Sequence, residues 1–182
     1  MPEFVKAPSV IIGLGNPDNK FFSTRHNIGF TILDALVSTH GGNWQFRDGK
    51  EIAALVMRGY PVLAVKPMTY MNNSGDIVPF LKMKDIQASD CLVIHDELEK
   101  PFGKVSLKWG GSARGHNGLK SLIERWGTDE FGRLRFGIGR PDSKEAVPRY
   151  VLEKFENPEL VSRYVQEALM LIEDLYKNLS LN

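Results

Sequence analysis

The chain has 182 residues, of which 42% are hydrophobic and 25% are charged, and it carries a formal net charge of +1. These values are typical of one globular domain and argue against a disordered chain. The near-zero charge neither requires nor excludes a nucleic-acid partner, because a local basic patch can exist on a near-neutral protein.

Three features of the sequence indicate a cytoplasmic protein. The single cysteine, Cys91, cannot form a disulfide within the chain, which favours a reducing compartment. No segment approaches the ~20 apolar residues of a membrane-spanning helix, so no membrane association is expected. The N-terminal stretch "MPEFVKAPSV" lacks the long apolar region of a signal peptide.

A buried strand, a helix and a β-hairpin are predicted in the first part of the chain. The β-branched run "SVIIGLGN", residues 9–16, is typical of a buried strand. A helix follows, which Gly41 and Gly42 end. "EIAALVMRGYPVLAVKP", residues 51–67, predicts two strands joined by a turn at residues 58–60. The apolar residues with helical spacing are Ile28, Ile32, Leu33, Leu36 and Val37.

The rest of the chain continues the alternation of helices and strands. A helix follows "NNSG", with Ser74 or Asn73 as its cap. "CLVIHDEL", "GKVSLKW" and "RLRFGIGRP" predict strands, of which the second is the more exposed, and "LKSLIERW" predicts a helix. An Asn157 cap followed by Pro158 begins a long amphipathic helix.

This alternation predicts a single three-layer α/β/α domain over residues 1–182, built around a mixed, mostly parallel sheet. The hairpin makes the sheet mixed, because its two strands are antiparallel. In such α/β folds, polar chemistry collects where loops leave the C-terminal ends of the strands.

The glycine-rich loops do not match nucleotide-binding motifs, so no cofactor is expected. After Gly13 and Gly15, the third glycine of a dinucleotide fingerprint would fall at the position of Asp18. In "GGSARGHNG", Gly110 and Gly115 have the separation of a P-loop, but His and Asn stand where Lys and Ser or Thr are required.

His26 and Asp96 are the first candidates for chemistry. His26 lies near the start of the first predicted helix, where the positive end of the helix dipole disfavours a charged imidazole. Asp96 ends a buried strand, where a carboxylate requires a partner. An imidazole N–H is such a partner, and the pairing makes the other ring nitrogen more basic. Each residue alone also has a simpler explanation, as a helix cap or a strand-end cap.

Three asparagines, Asn16, Asn72 and Asn117, end loops associated with strands. A carboxamide donates and accepts hydrogen bonds without charge, which suits binding of a peptide backbone or of a developing oxyanion. Each asparagine alone is also an ordinary turn residue. No serine or cysteine nucleophile stands beside the base, and Cys91 is predicted to lie in the core, so water is the expected nucleophile.

Five segments together resemble the bacterial-type peptidyl-tRNA hydrolases, in the same order and spacing across nearly the whole chain. They are "GLGNPDNKFFSTRHNIGF", "KPMTYMNNSG", "VIHDEL", "GGSARGHNGLKS" and "RLRFGIGRP". The resemblance implies a monomeric, metal-free esterase that cleaves the bond between a peptide and the 3′-ribose of tRNA. Such an enzyme recycles tRNA from prematurely released peptidyl-tRNA. In the catalytic centre, His26 would be the base, Asp96 would orient it, and Asn16 would hold His26 or the substrate.

The same resemblance implies the substrate-binding residues. Asn72 and Asn117 would bind the peptide end and the attacking water. Lys108 and Arg135 would clamp the 5′-phosphate of the tRNA. Phe21 stands where the family usually has Tyr, so its ring packing is expected without the hydrogen bond of that hydroxyl.

Two further departures from the family pattern carry charge. Asp18 replaces a usual Gly and would be mildly repulsive if it faced phosphates. Arg114 lies in an altered glycine-histidine stretch, where the sequence favours a solvated loop charge over a further phosphate contact.

Two alternative functions remain open from the sequence. One is a catalytically inactive RNA-binding relative of the same fold, although His26, Asp96 and the asparagines are all retained. The other is a metallohydrolase that uses His26, His95, Asp96 and His116, but the chain has no HExxH spacing. His95 would also alternate to the other side of its strand from Asp96.

Overall fold

The computed structural model describes residues 4–180, and both ends of the predicted 1–182 domain lie outside the described residues. Strands and helices alternate along this part of the chain. The strands are β1 Val10–Gly13, β2 Gln45–Arg47, β3 Lys50–Met57, β4 Tyr60–Pro67, β5 Cys91–Glu97, β6 Val105–Trp109 and β7 Gly132–Gly137. The helices are α1 Ile28–Thr39, α2 Val78–Met83, α3 Asn117–Trp126, α4 Val147–Val151 and α5 Pro158–Ser180.

The strands form one seven-stranded sheet in the order β2-β3-β4-β1-β5-β7-β6. β4, β1, β5 and β7 are parallel to one another, whereas β3 is antiparallel to β4 and β6 is antiparallel to β7. β2 is antiparallel to β3 and therefore runs in the direction of the central strands. The structure confirms the mixed, mostly parallel sheet that the sequence predicts.

Helices cover both faces of the sheet, because the central strands carry apolar side chains on both sides. Ile11 belongs to a buried cluster with Leu33 of α1, to which α5 also contributes. The next residue, Ile12, faces the other side and packs in a second cluster with Leu122 of α3. The three-layer α/β/α architecture is thus confirmed.

Two glycines bring the start of α1 close to the middle of the sheet. A Cβ on Gly29 would lie 2.6 Å from backbone atoms of Leu14, and one on Gly13 would lie 2.6 Å from the Gly29 carbonyl oxygen. Only residues without a side chain permit this approach. His26, which precedes α1, is thereby held beside the end of β5.

The structure corrects the sequence prediction around residue 77. Residues 71–77 form 3₁₀ turns and α2 begins only at Val78, where Pro79 occupies the first turn. Ser74 does not cap α2, because its hydroxyl donates to the Met71 carbonyl oxygen at 2.7 Å. β2 is an additional strand that the sequence analysis does not predict.

The hairpin turn and the start of α5 lie where the sequence predicts them. The hairpin turns at Arg58 and Gly59, both in the left-handed region with φ of +51° and +85°. The Asn157 side chain accepts the Leu160 N–H at 3.1 Å, which caps α5 as predicted. Among residues 4–180, no helix combines the length and the apolar character that crossing a membrane requires.

Candidate functional site

A cavity at the carboxyl edge of the sheet collects several of the predicted site residues. His26 reaches it from the turn before α1, and Asp96 reaches it from the end of β5. Lys108 of β6, Asn117 of α3 and Arg135 of β7 line the same cavity. Asn16, Phe21 and Asn72 are not among its lining residues.

His26 and Asp96 are in direct contact. The Nδ1 of His26 lies 3.0 Å from Oδ1 and 2.9 Å from Oδ2 of Asp96. Burial lowers the pKa of the His26 imidazole, but the charge and the hydrogen bond of Asp96 outweigh burial, so the net pKa lies above its ordinary value. This direction differs from the one that the helix dipole predicts, because the carboxylate is the nearer charge.

A second imidazole holds the same carboxylate. His116 Nδ1 accepts the backbone N–H groups of Gly118 at 3.1 Å and Leu119 at 3.3 Å, so this nitrogen carries no proton. The proton of a neutral His116 is therefore on Nε2, which donates to Asp96 Oδ1 at 2.8 Å. Burial raises the pKa of the Asp96 carboxyl, but His26 and His116 together hold it well below its usual range.

His95 lies beside this group without joining it. Its Nδ1 donates to the Asp96 carbonyl oxygen at 2.8 Å, and its buried Nε2 has no partner among residues 4–180. Burial, with the neighbouring His116, lowers the pKa of His95 to about 3, so the ring is neutral. His95 lines the cavity even though its side chain leaves the strand on the other side from Asp96.

The metallohydrolase alternative meets an obstacle at His116. Among the described residues, the ligand atoms of His26, Asp96 and His116 lie within 4.8 Å of one another. Coordination requires a lone pair on the imidazole nitrogen, but His116 Nε2 carries the proton because Nδ1 accepts two backbone N–H groups. The donor set therefore fits a hydrogen-bonded relay better than a metal centre.

Asn16 is connected to His26 through the backbone and not by a direct hydrogen bond. The Asn27 side chain accepts the Asn16 N–H at 2.9 Å and donates to the Asn16 carbonyl oxygen at 3.0 Å. The Asn16 Oδ1 accepts the Met71 N–H at 2.8 Å. Asn16 thus ties the turn that carries His26 to the segment that carries Asn72.

The segment with Asn72 packs against the start of α3. A Cβ on Gly118 would lie 2.6 Å from the Met71 sulfur, so Asn117 and the Met71 segment are neighbours. Asn72 itself is exposed. These two predicted peptide-binding residues therefore flank one edge of the sheet, Asn117 inside the cavity and Asn72 outside it.

The hydroxyl that is absent at Phe21 is present on its neighbour. The Phe21 ring meets the Tyr70 ring edge to face, with centroids 6.4 Å apart. The Tyr70 hydroxyl donates to Asp18 Oδ2 at 2.7 Å, and this bond raises the pKa of Tyr70. Asp18 is therefore hydrogen-bonded within the protein, to a residue of the segment after β4.

Lys108 and Arg135 lie on adjacent strands at the other side of the cavity. Arg135 is 3.8 Å from the Glu97 carboxylate, and its buried Nε has no partner among residues 4–180. Burial, followed by the charges of Arg135 and Arg114, lowers the pKa of Lys108. Such a cluster of cationic donors, which Glu97 offsets only in part, is suited to an anion.

Two contributors to this geometry were missed by sequence reasoning. The sequence presents His116 only as a possible metal ligand, because its hydrogen bonds depend on β5 and α3 lying next to each other. The sequence shows Arg133 only as part of a predicted strand, yet its guanidinium donates to the carbonyl oxygens of Gly111 and Ser112. Cys91 is buried in the core, as predicted.

The arrangement combines a base, an orienting carboxylate and amide donors beside cationic groups. His26 Nε2 is the ring nitrogen that remains free to accept a proton once Nδ1 donates to Asp96. Asn117 supplies an uncharged amide at the same cavity. This chemistry is suited to the attack of water on a carbonyl group of an anionic substrate.

Comparisons with known proteins point to one family. The family model described as peptidyl-tRNA hydrolase matches residues 10–181. The chain is 42% identical to a peptidyl-tRNA hydrolase of Mycobacterium sp. (strain KMS), over 88% of this chain and 87% of the relative. It is 40% identical to the enzyme of that name from Staphylococcus saprophyticus, over 90% of this chain and 88% of the relative. A crystal structure of peptidyl-tRNA hydrolase from Acinetobacter baumannii matches with a TM-score of 0.88 and 37% identity, covering 95% of this chain and 90% of that chain.

Proposed function

Because the chain belongs to the peptidyl-tRNA hydrolase family, we propose that it cleaves the ester between a peptide and the 3′-ribose of tRNA. The reaction recycles tRNA from prematurely released peptidyl-tRNA. The observation that carries this proposal is the contact of His26 Nδ1 with Asp96 at 2.9 Å, inside a cavity that also holds cationic side chains. None of the comparisons favours the catalytically inactive RNA-binding alternative.

In the catalytic step, neutral His26 removes a proton from water as the oxygen attacks the ester carbonyl. Asp96 receives the Nδ1–H of His26, which fixes the tautomer and stabilises the imidazolium that forms. General-base assistance of this kind is worth about 10²–10⁴ in rate. As the bond between the carbonyl carbon and the 3′-oxygen of the ribose breaks, the proton passes from His26 to that oxygen, which releases free tRNA and a peptide carboxylic acid that loses its own proton to water.

Amide groups stabilise the tetrahedral intermediate and bind the peptide end. Asn117 lies in the cavity and donates to the developing oxyanion, which for one good donor contributes about 3 kcal/mol. The Nδ2 group of Asn16 makes no hydrogen bond within residues 4–180, and it is available to the substrate. Asn72 and the Phe21 ring flank the path of the peptide.

Lys108 and Arg135 bind the 5′-phosphate of the tRNA acceptor stem. Both line the cavity, and the buried Arg135 Nε lacks a protein partner among the described residues. Contacts of this kind fix the position of the tRNA and supply salt-dependent affinity without reading its sequence.

The proposal also includes the oligomeric state, the location and the cofactor requirement of the enzyme. The enzyme acts as a monomer in the cytoplasm, and the described residues 4–180 form one domain. We expect no cofactor, and a metal is disfavoured because the His116 tautomer directs Nε2–H toward Asp96.

Ester cleavage on purified peptidyl-tRNA tests the function and the base together. We expect the parent protein to release the peptide and His26→Ala to lose about 10²–10⁴ of the rate, because the general base is removed. Binding of deacylated tRNA to His26→Ala should persist. Release of peptide is measured by separating free peptide from the tRNA-bound form.

His40→Ala is the matched control. His40 lies at the end of α1 and contacts Glu173 of α5, away from the cavity. This variant should cleave at the parent rate. A parent protein without cleavage would contradict the function, whereas equal rates for parent and His26→Ala would contradict only the assignment of the base.

A further inference from the structure

Arg114 has an unusual backbone conformation in the loop between β6 and α3. Its φ is +46°, in the left-handed region that glycine adopts readily and an arginine rarely adopts. Gly110, Gly111 and Gly115 of the same loop also have positive φ angles, so the loop imposes this backbone path along much of its length. An arginine at such a position costs free energy that glycine would not, and strain of this kind is concentrated at functional sites.

The loop is anchored on both sides of Arg114. Arg133 Nη1 donates to the Ser112 carbonyl oxygen at 3.0 Å, and Nη2 of the same residue donates to the Gly111 carbonyl oxygen. The His116 N–H donates to the Ala113 carbonyl oxygen at 2.9 Å. These bonds hold the left-handed residue in place.

The Arg114 side chain lines the same cavity as Lys108 and Arg135. Burial is the main reason why the pKa of Lys108 is lowered, and the charges of Arg135 and Arg114 follow. These side chains are therefore near enough to repel one another when no anion is bound. A cluster of like charges is stabilised by an anion, and more strongly by one that carries two negative charges than by one that carries a single charge.

The carboxylates at this side of the cavity are already engaged. Glu97 is the partner of Arg135 at 3.8 Å, and Glu99 accepts the Arg140 Nε–H at 2.8 Å. Arg140 chiefly, and the charge of Arg114 in addition, lower the pKa of Glu99, but no hydrogen bond or salt bridge joins Glu99 to Arg114, which is exposed at the cavity rim. Among the described residues, Arg114 thus makes no hydrogen bond or salt bridge that would hold its guanidinium away from an incoming anion.

We propose that Arg114 is a third cationic ligand for the terminal phosphate of the tRNA substrate, beside Lys108 and Arg135. This proposal rests on the proposed function. A terminal phosphate monoester carries close to two negative charges at pH 7 and offers three acceptor oxygens, so it can engage three cationic side chains together. An internal phosphodiester carries only one charge, and Arg114 therefore favours the free 5′ end.

The test is the preference of the enzyme for a 5′-phosphorylated substrate over the same peptidyl-tRNA after removal of its 5′-phosphate. The ratio of the two kcat/KM values is measured for the parent and for Arg114→Gly. Glycine suits the left-handed conformation, so this variant is expected to fold and to keep its melting temperature or gain in it. We expect the ratio to fall about three- to tenfold, because one charged contact to the phosphate is lost.

Arg58→Gly is the matched control, since Arg58 is also an arginine with a left-handed φ, of +51°, in a turn outside the cavity. It should retain the parent ratio. An unchanged ratio in Arg114→Gly, or an equal loss of kcat/KM on both substrates, would overturn the role of Arg114.

Lys108→Ala distinguishes a failure of this proposal from a failure of the proposed function. If the parent cleaves peptidyl-tRNA and Lys108→Ala lowers the ratio while Arg114→Gly does not, only the third ligand is refuted.

Discussion

At the scale of single residues, the Asp96 carboxylate accepts hydrogen bonds from two imidazoles with different tasks. His26 keeps a free Nε2, whereas both nitrogens of His116 are occupied by Asp96 and by the backbone of α3. The first ring can therefore exchange protons with substrate and water. The second ring can only orient the carboxylate and keep it ionised.

This difference predicts the effect of replacing His116 by asparagine. In His116→Asn, the new side chain can still cap α3, but it is too short to reach Asp96. With one donor lost, the Asp96 charge acts on His26 alone, so the pKa of His26 rises. If the lost charge-assisted hydrogen bond is worth about 1.5 kcal/mol, the pKa of His26 rises by about one unit.

The measurement for His116→Asn is the pH dependence of ester cleavage. The acidic limb of the profile should move to higher pH, because a base with a raised pKa becomes protonated earlier as the pH falls. A limb that stays in place or moves to lower pH would show that His116 acts only as a helix cap.

The sequence was informative about residues whose role depends on their own position. His26 before a helix and Asp96 at the end of a buried strand were both predicted, and the structure brings them into contact. The hydrogen bonds of His116 and of Tyr70 were not predicted, because each depends on a partner from a distant segment. Register and packing decide such pairs, and neither is encoded in a local pattern.

At the scale of elements, the close approach of α1 to β5 sets the distance between base and carboxylate. Gly29 lies in the first turn of α1, and a Cβ there would meet backbone atoms of Leu14 at 2.6 Å. Backbone atoms cannot move aside as the end of a flexible side chain can. The helix would therefore have to shift, and His26 would move away from Asp96 with it.

Gly29→Ala is thus expected to lower both stability and kcat. Overpacking of this kind costs about 1–3 kcal/mol of unfolding free energy. Gly49→Ala is the comparison, since Gly49 has a φ of +75° and open space around it, so alanine is strained there without a clash. Unfolding by denaturant and ester cleavage are both measured at a temperature below the melting temperatures of the two variants. Equal kcat for the two variants would contradict the role of this packing.

Elements with strong periodicity or clear caps were predicted well, and short elements were not. The capped helix α5 and the hairpin of β3 and β4 follow local rules of capping and turn conformation. The three-residue strand β2 forms only because the hairpin offers it an edge. Residues 71–77 are drawn into 3₁₀ turns by the contacts of Asn16 with Met71 and of Ser121 with Gly75.

At the scale of the whole molecule, a near-neutral chain concentrates functional charge at one edge of its sheet. The net charge is +1, yet one cavity contains the cationic side chains of Lys108, Arg114 and Arg135. The segments that carry the family resemblance also meet at this edge, because β1, β4 and β5 are parallel and end there. The fold thus brings loop motifs that are separate in the sequence together in one site.

The pH dependence of kcat/KM on purified peptidyl-tRNA, for the parent and for Asp96→Asn, tests the central claim most directly. The parent should lose activity as the pH falls through a value above the ordinary histidine pKa, since only neutral His26 can accept a proton. Asparagine carries no charge and offers one acceptor oxygen to two imidazoles. Asp96→Asn should therefore lose up to about 10⁴ of the rate and shift the acidic limb to lower pH. A parent profile without an acidic limb, or the same limb in both proteins, would contradict a base that is oriented and charged by Asp96.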